Sequence, residues 1–215
     1  YIPHQYLINC NFKQYRPLLL ALASRRDINP DGFTTIFRII ETLYVRFLLI
    51  GKQKGSLLEP LFATWSHEAL DLTKTADNLI DKWLADSKKI EEKFNFLIVF
   101  SALKITDKKK IMYLLAKIES YSDPDVKENT LLEAQVESIL PHVKDSKDWS
   151  ESWPSFGARD HADNHQNLIG NYILMYEKSN LGIDTDWDAK KDFLINRAFY
   201  ITTLQIAQNV SNWNI

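Results

Sequence analysis

The chain has 215 residues, 45% of them hydrophobic and 25% charged, with a net charge of −2. Those proportions describe a globular protein and exclude a disordered tail, a collagen-like chain and a coiled-coil rod. The mild acidity argues against a free-standing nucleic-acid binder, whose affinity comes largely from phosphate contacts.

The chain opens on Tyr1, which suggests that it is cut from a longer protein, and no signal peptide is visible. Cys10 stands alone, which rules out a disulfide framework and a cysteine-rich zinc module and fits a reducing compartment such as the cytoplasm. Six glycines and seven prolines are few for this length and favour helix. Pro17 suits the first turn of a helix through Leu18, Leu19, Leu20 and Leu22, where its missing N–H is not needed. Asn29-Pro30-Asp31-Gly32 reads as a break. Phe33, Ile36, Phe37, Ile40, Tyr44, Phe47 and Leu48 then recur at three- and four-residue spacing. That predicts one long helix with Gly51 past its end. Leu57 to Leu70 is a further helix, and Thr73 to Phe100 is one or two more. The best candidate for a membrane span, Phe96 to Phe100, is far short of the roughly 18–20 residues that cross a bilayer, so no membrane association is expected. Asp107 precedes an amphipathic helix carrying Ile111, Met112, Leu114, Leu115 and Ile118. Lys104, Lys108, Lys109, Lys110 and Lys117 cluster there with only Asp107 opposing them. A solvated helix face is the plainer reading of such a run.

The polar stretch from Ser122 to Thr130 interrupts the helical pattern, and the domain boundary is expected there. A helical bundle would occupy 1–125 and a second domain 126–215. In the second part, Glu137 to Pro141 reads as a short strand ended by proline, and Leu168 to Met175 as another strand. The segment from Ser146 to Asn167 is polar and too long to be idle in a compact domain. From Asp184 onward the text is helical again. The six tryptophans are expected in cores.

Three ordered strings give this part a family likeness. Val136-Glu-Ser-Ile-Leu-Pro-His142 resembles the "VEHILPQ" motif of the C-terminal nuclease domain of GmrSD-type modification-dependent restriction enzymes. That domain is of the HNH, or ββα-metal (His-Me finger), class. Ile169-Gly-Asn-Tyr-Ile-Leu174 stands where that family has "iGNLtLl". Asn180-Leu181 followed by Trp187-Asp-Ala-Lys-Lys191 is similar to its next conserved stretch, and Trp149 and Trp213 fall where the family tends to carry tryptophans. The likeness covers roughly Asn129 to Ile215. Tyr15 to Leu20 and Glu41 to Arg46 resemble strings of the helical spacer that precedes the domain.

The resemblance implies a mainly α protein: a helical bundle, then a small ββα-metal module with C-terminal helices. It implies a DNA endonuclease acting on modified phage DNA as part of phage defence. Activation would come from an N-terminal nucleotide-hydrolysing domain outside this chain. A histidine at the end of the first strand would deprotonate water, and one Mg²⁺ or Mn²⁺ would stabilise the developing charge. Carried onto this sequence, Glu137 and Asn180 would be metal ligands, and Asn171 would orient the base or brace the hairpin. Lys190 and Lys191 match a family position where phosphate contact and simple solvation are both open readings.

The departure lies at the centre. The family's catalytic histidine falls on Ser138, and serine cannot accept a proton at neutral pH without a base of its own. Either the module is a degenerate nuclease kept for binding DNA or protein, or Ser138 is an engineered substitution, or another histidine serves. His165, ahead of the second strand, is the candidate substitute base; His142 lies beyond Pro141 and is expected to point elsewhere. His161 and His165 are four residues apart, as in helical zinc sites, but their segment has no apolar periodicity and reads as a solvated loop. Without the resemblance, Glu137 would read as an exposed strand residue, and Asn171 and Asn180 as turn or cap residues.

Overall fold

A computed structural model describes residues 12–91, 96–126, 131, 133–140, 165–176 and 187–210. Packing divides the chain into two units, Tyr1–Phe100 and Ser101–Ile215. The described residues form eight α-helices and one two-stranded sheet, so the protein is mainly helical.

In the first unit, α1 (Arg16–Leu22) carries Pro17 in its first turn. Asn29 caps α2 (Pro30–Thr42) by accepting from Gly32 N at 2.7 Å, with Pro30 and Asp31 in the positions that favour a helix start. The break read at Asn29-Pro30 is thus a cap. The long helix expected through Leu48 changes winding at Leu43. Residues Leu43–Ile50 form a π-helix, and Gly51 N closes it by donating to the Arg46 carbonyl at 2.9 Å. Wider winding rotates the inward face. Leu49 and Ile50 are therefore buried, and Leu48, on the expected stripe, is only half-buried. Helices α3 (Glu59–Leu70) and α4 (Ala76–Glu91) follow, then α5 (Phe96–Ser101). The core is an aromatic chain. Phe12 meets Tyr44 and Phe62, Phe62 meets Trp65 edge-on, and Trp65 stacks on Trp83 at 5.4 Å. Arg25 is buried beside it and donates to the carbonyls of Ala69, Asp71 and Lys74 while pairing with Asp27.

In the second unit, Asp107 caps α6 (Lys108–Ser122) by accepting from Lys109 N and Lys110 N. Strands β1 (Gln135–Ser138) and β2 (Tyr172–Met175) pair antiparallel, with Glu137 opposite Ile173 and Ser138 opposite Tyr172. Two helices follow, α7 (Trp187–Arg197) and α8 (Ile201–Asn209). Period-two alternation divides the apolar side chains between the sheet's faces. Ile173 and Met175 pack with Trp187, Leu194 and Ala207, whereas Leu174 packs with Ala116 and Tyr200. All four β2 residues are therefore buried. The two packing units part at 100/101, with α6 packed against the hairpin that follows it. Both strands are also shorter than expected. Residues Ile169–Asn171 form a 3₁₀ turn rather than strand, and β1 stops at Ser138. Trp65, Trp83 and Trp187 are core residues; the other three tryptophans lie outside the described residues.

Candidate active site

The end of β1 is held from two sides. Ile139 N donates to the Asn171 carbonyl at 2.8 Å. Leu140 is then gripped by a side chain in place of a strand. Its N–H donates to Asn171 Oδ1 at 2.6 Å, and its carbonyl accepts from Asn171 Nδ2 at 3.0 Å. The second Nδ2 hydrogen goes to the Gln166 carbonyl at 3.0 Å. Asn171 is fully buried, and its amide does for the hairpin what a peptide group does in a ladder. Of the two roles expected for it, this geometry serves bracing. Gly170 precedes it at the exposed apex of the turn, where nothing lies within 4 Å of a built Cβ.

From the other side comes Lys190, in the first turn of α7. Its Nζ donates to the Ile139 carbonyl at 2.6 Å and to the Ser138 carbonyl at 3.4 Å. Only 6% of the residue is exposed. Burial pulls the Lys190 pKa down to about 8, against the nearby Glu137 carboxylate, which favours the charged form. Lys190 thus faces the strand end rather than solvent. Its half-buried neighbour Lys191 points elsewhere, since successive residues on a helix stand about 100° apart.

Glu137, Ser138, Ile139, Ile173, Met175, Lys190 and Leu194 line a cleft between β1 and α7. Strand alternation sends Glu137 to the α7 face and the Ser138 side chain to the opposite one, so Ser138 offers Lys190 its carbonyl. Glu137 is half-buried, and its carboxylate makes no hydrogen bond or ion pair with any described residue. Such a carboxylate suits a magnesium-type ion, which takes one or two carboxylates and completes its shell with water and substrate phosphate. Among the described residues there is no group of three or more His, Cys, Asp or Glu side chains that could hold a metal.

His165 does not line this cleft. It is half-buried at the start of the segment leading to β2, where its carbonyl accepts from Leu168 N at 3.0 Å. Asn180, His142 and His161 lie outside the described residues. The part sequence reading did not foresee is Lys190 as a wall of the cleft. The signal was its place in the stripe Trp187, Lys190, Leu194, a lysine where an apolar residue would be expected.

No helix among the described residues is long and apolar enough to cross a membrane. Neither a comparison with curated proteins nor one with solved structures finds a match. A family model does match: that of the C-terminal domain of GmrSD restriction endonucleases, over residues 87–215. The match begins within α4 and takes in α6, the hairpin, α7 and α8. It covers more than half of the chain, which therefore belongs to the family of GmrSD restriction endonucleases through their C-terminal domain.

Proposed function

We propose that the second unit is an HNH-class module that hydrolyses DNA phosphodiesters within a modification-dependent restriction system aimed at phage DNA. The observation that supports this most is the half-buried carboxylate of Glu137, facing Lys190 on a strand whose end is pinned from both sides, by Asn171 and by Lys190. Residue 138 projects from the opposite face of that strand. A phosphate lying across the strand end would have one face toward 137 and the other toward 138, as in-line displacement requires. Mg²⁺ or Mn²⁺ held by Glu137 and Asn180 would supply charge stabilisation at the leaving oxygen. A base at 138 would take the proton of the attacking water, and Asn171 holds the backbone of Ile139 and Leu140 just beyond it. The modification is sensed, in this reading, by an N-terminal nucleotide-hydrolysing domain of the same protein, which acts in the cytoplasm.

With serine at 138 the base is missing, a loss of about 10²–10⁴ in rate. The test is to restore it. Ser138→His protein, incubated with supercoiled plasmid and Mn²⁺, is expected to produce open-circular or linear DNA, and the serine form far less. Failure of both forms to cut, under conditions where a related domain cuts, counts against the reading. The second reading is a catalytically inactive module that binds DNA or a protein partner, favoured by Ser138 itself. It expects no cleavage by either form.

A further inference from the structure

We propose that the N-terminal turn of α6, with Lys104, Lys108 and Lys109, is the surface that grips the phosphate backbone of duplex DNA, on the side of the hairpin that packs against α6 rather than α7. The inference rests on the reading of this chain as a DNA-acting module and adds to it the place where the duplex is held.

Three consecutive lysines open α6, and its first turn holds no acidic residue. The helix macrodipole puts partial positive charge at that end, so cations there oppose the helix rather than support it. The helix α4 shows the favourable arrangement, with Asp77 in its first turn and Lys88 and Lys89 in its last. Lys110 is compensated by Asp107 at 3.6 Å. Lys108 and Lys109 are exposed and have no acidic partner among the described residues. Asp107 offsets part of this at the cap, but two lysines beyond it remain at a helix start that disfavours them, which marks a place where function outweighs stability. Nor are the helix-end amides the attraction, because Asp107 already accepts from two of them. What is offered outward is side-chain ammonium, the group that neutralises phosphate.

The lysines are also fixed to the frame of the candidate site. Leu103 and Ile105 are buried and bonded into the segment before β2: Ile169 N donates to the Leu103 carbonyl at 2.9 Å, and Ile105 N to the Asn167 carbonyl at 2.8 Å. The Tyr172 hydroxyl, opposite Ser138 in the hairpin, donates to the Ile105 carbonyl at 3.5 Å. Lys104 bridges to Leu168 through its backbone and is exposed between the two buried neighbours. Cations on so short a tether from β2 hold a register with the hairpin, which mobile surface lysines do not.

The test compares two charge-matched double variants, Lys108→Gln/Lys109→Gln and Lys88→Gln/Lys89→Gln, in binding a fluorescein-labelled 24-base-pair duplex over a salt series. The α6 variant is expected to bind about tenfold or more weaker at low salt, with a log K against log[salt] slope shallower by about 2. Adding Lys104→Gln should deepen both effects, and the α4 variant should bind like the parent. The α6 variant should also melt no lower than the parent, because the substitutions relieve the macrodipole. Equal losses in both double variants would reduce the effect to net charge and overturn the proposal. So would unchanged binding by the α6 variant, which leaves the nuclease reading intact if Ser138→His still cuts. Binding of the parent to anionic phosphatidylserine vesicles but not to duplex would overturn both.

Discussion

Lys190 reaches from α7 to the end of β1 and donates to the Ile139 carbonyl at 2.6 Å, tying together two elements separated by the whole excursion between the strands. Replacing it with methionine leaves that carbonyl buried without its donor, and Lys190→Met is expected to destabilise the second unit by about 1–3 kcal/mol. Its titration has a second consequence. The folded pKa is about 8 and the ordinary value 10.5. Between them the unfolded chain holds the proton and the folded one does not, so this group makes stability rise with pH across that window. Urea midpoints at pH 7.5 and 10 should show the rise in the parent relative to Lys190→Met; equal pH dependence would refute it.

Asn171 is expected to be the least replaceable polar residue of the hairpin. Asn171→Leu preserves size and leaves three backbone groups of Leu140 and Gln166 unpaired. The expected loss is about 2–4 kcal/mol. Asn171→Asp removes both donors and buries a charge, so it should fare no better. Chemical denaturation monitored by tryptophan fluorescence measures both.

Glu119 caps a helix other than its own. Fully buried on α6, it accepts from Ile201 N at 2.7 Å, from Thr202 N at 3.1 Å and from the Thr202 hydroxyl. Glu119→Ala should uncap α8 at a cost of about 1–2 kcal/mol and speed amide exchange in its first turn. Exchange that stays as slow as in the parent would show that the cap is dispensable.

In the Ser138→His background, Glu137→Gln is expected to weaken Mn²⁺ binding measured by calorimetry and to lower nicking about 10²-fold or more. Nicking at the parental rate would remove Glu137 from the site.

The Arg25 guanidinium, hydrogen-bonded to Asp27, holds that carboxyl down at about 2, from an ordinary 3.8. The stability this lends the first unit is present above the ordinary value and is lost as pH falls through about 2. Acid unfolding of Asp27→Asn should show a shallower pH dependence than the parent between pH 4 and 2.

Helices whose caps and stripes are local were legible in the sequence. Asn29-Pro30 and Asp107 mark starts, and Gly51 marks an end, because the signal is carried by residues a few positions apart. The π winding was not legible, since LYVRFLLI is apolar enough to serve either face. Strand limits were misjudged for a related reason. Leu140 leaves the ladder because a side chain distant in sequence takes over its peptide groups, and Ile169–Asn171 turns to bring that side chain there. Glu137 and Asn171 were singled out through motif order, and folding brings Glu137 and the Asn171 amide to the end of β1. Lys190 was read as a surface contact, and only folding shows its ammonium turned inward.

The cleft also has a temporal order built into it. Its first wall, Glu137 to Ile139, precedes its second, Lys190 and Leu194, by half a domain of chain, and α8 closes the layer behind them last. During ribosomal synthesis, a nascent chain that has passed Met175 holds both strands of the hairpin but no cleft. Products stalled or terminated before Lys190 therefore lack the pocket altogether, and the cleft is complete only once translation has passed α7.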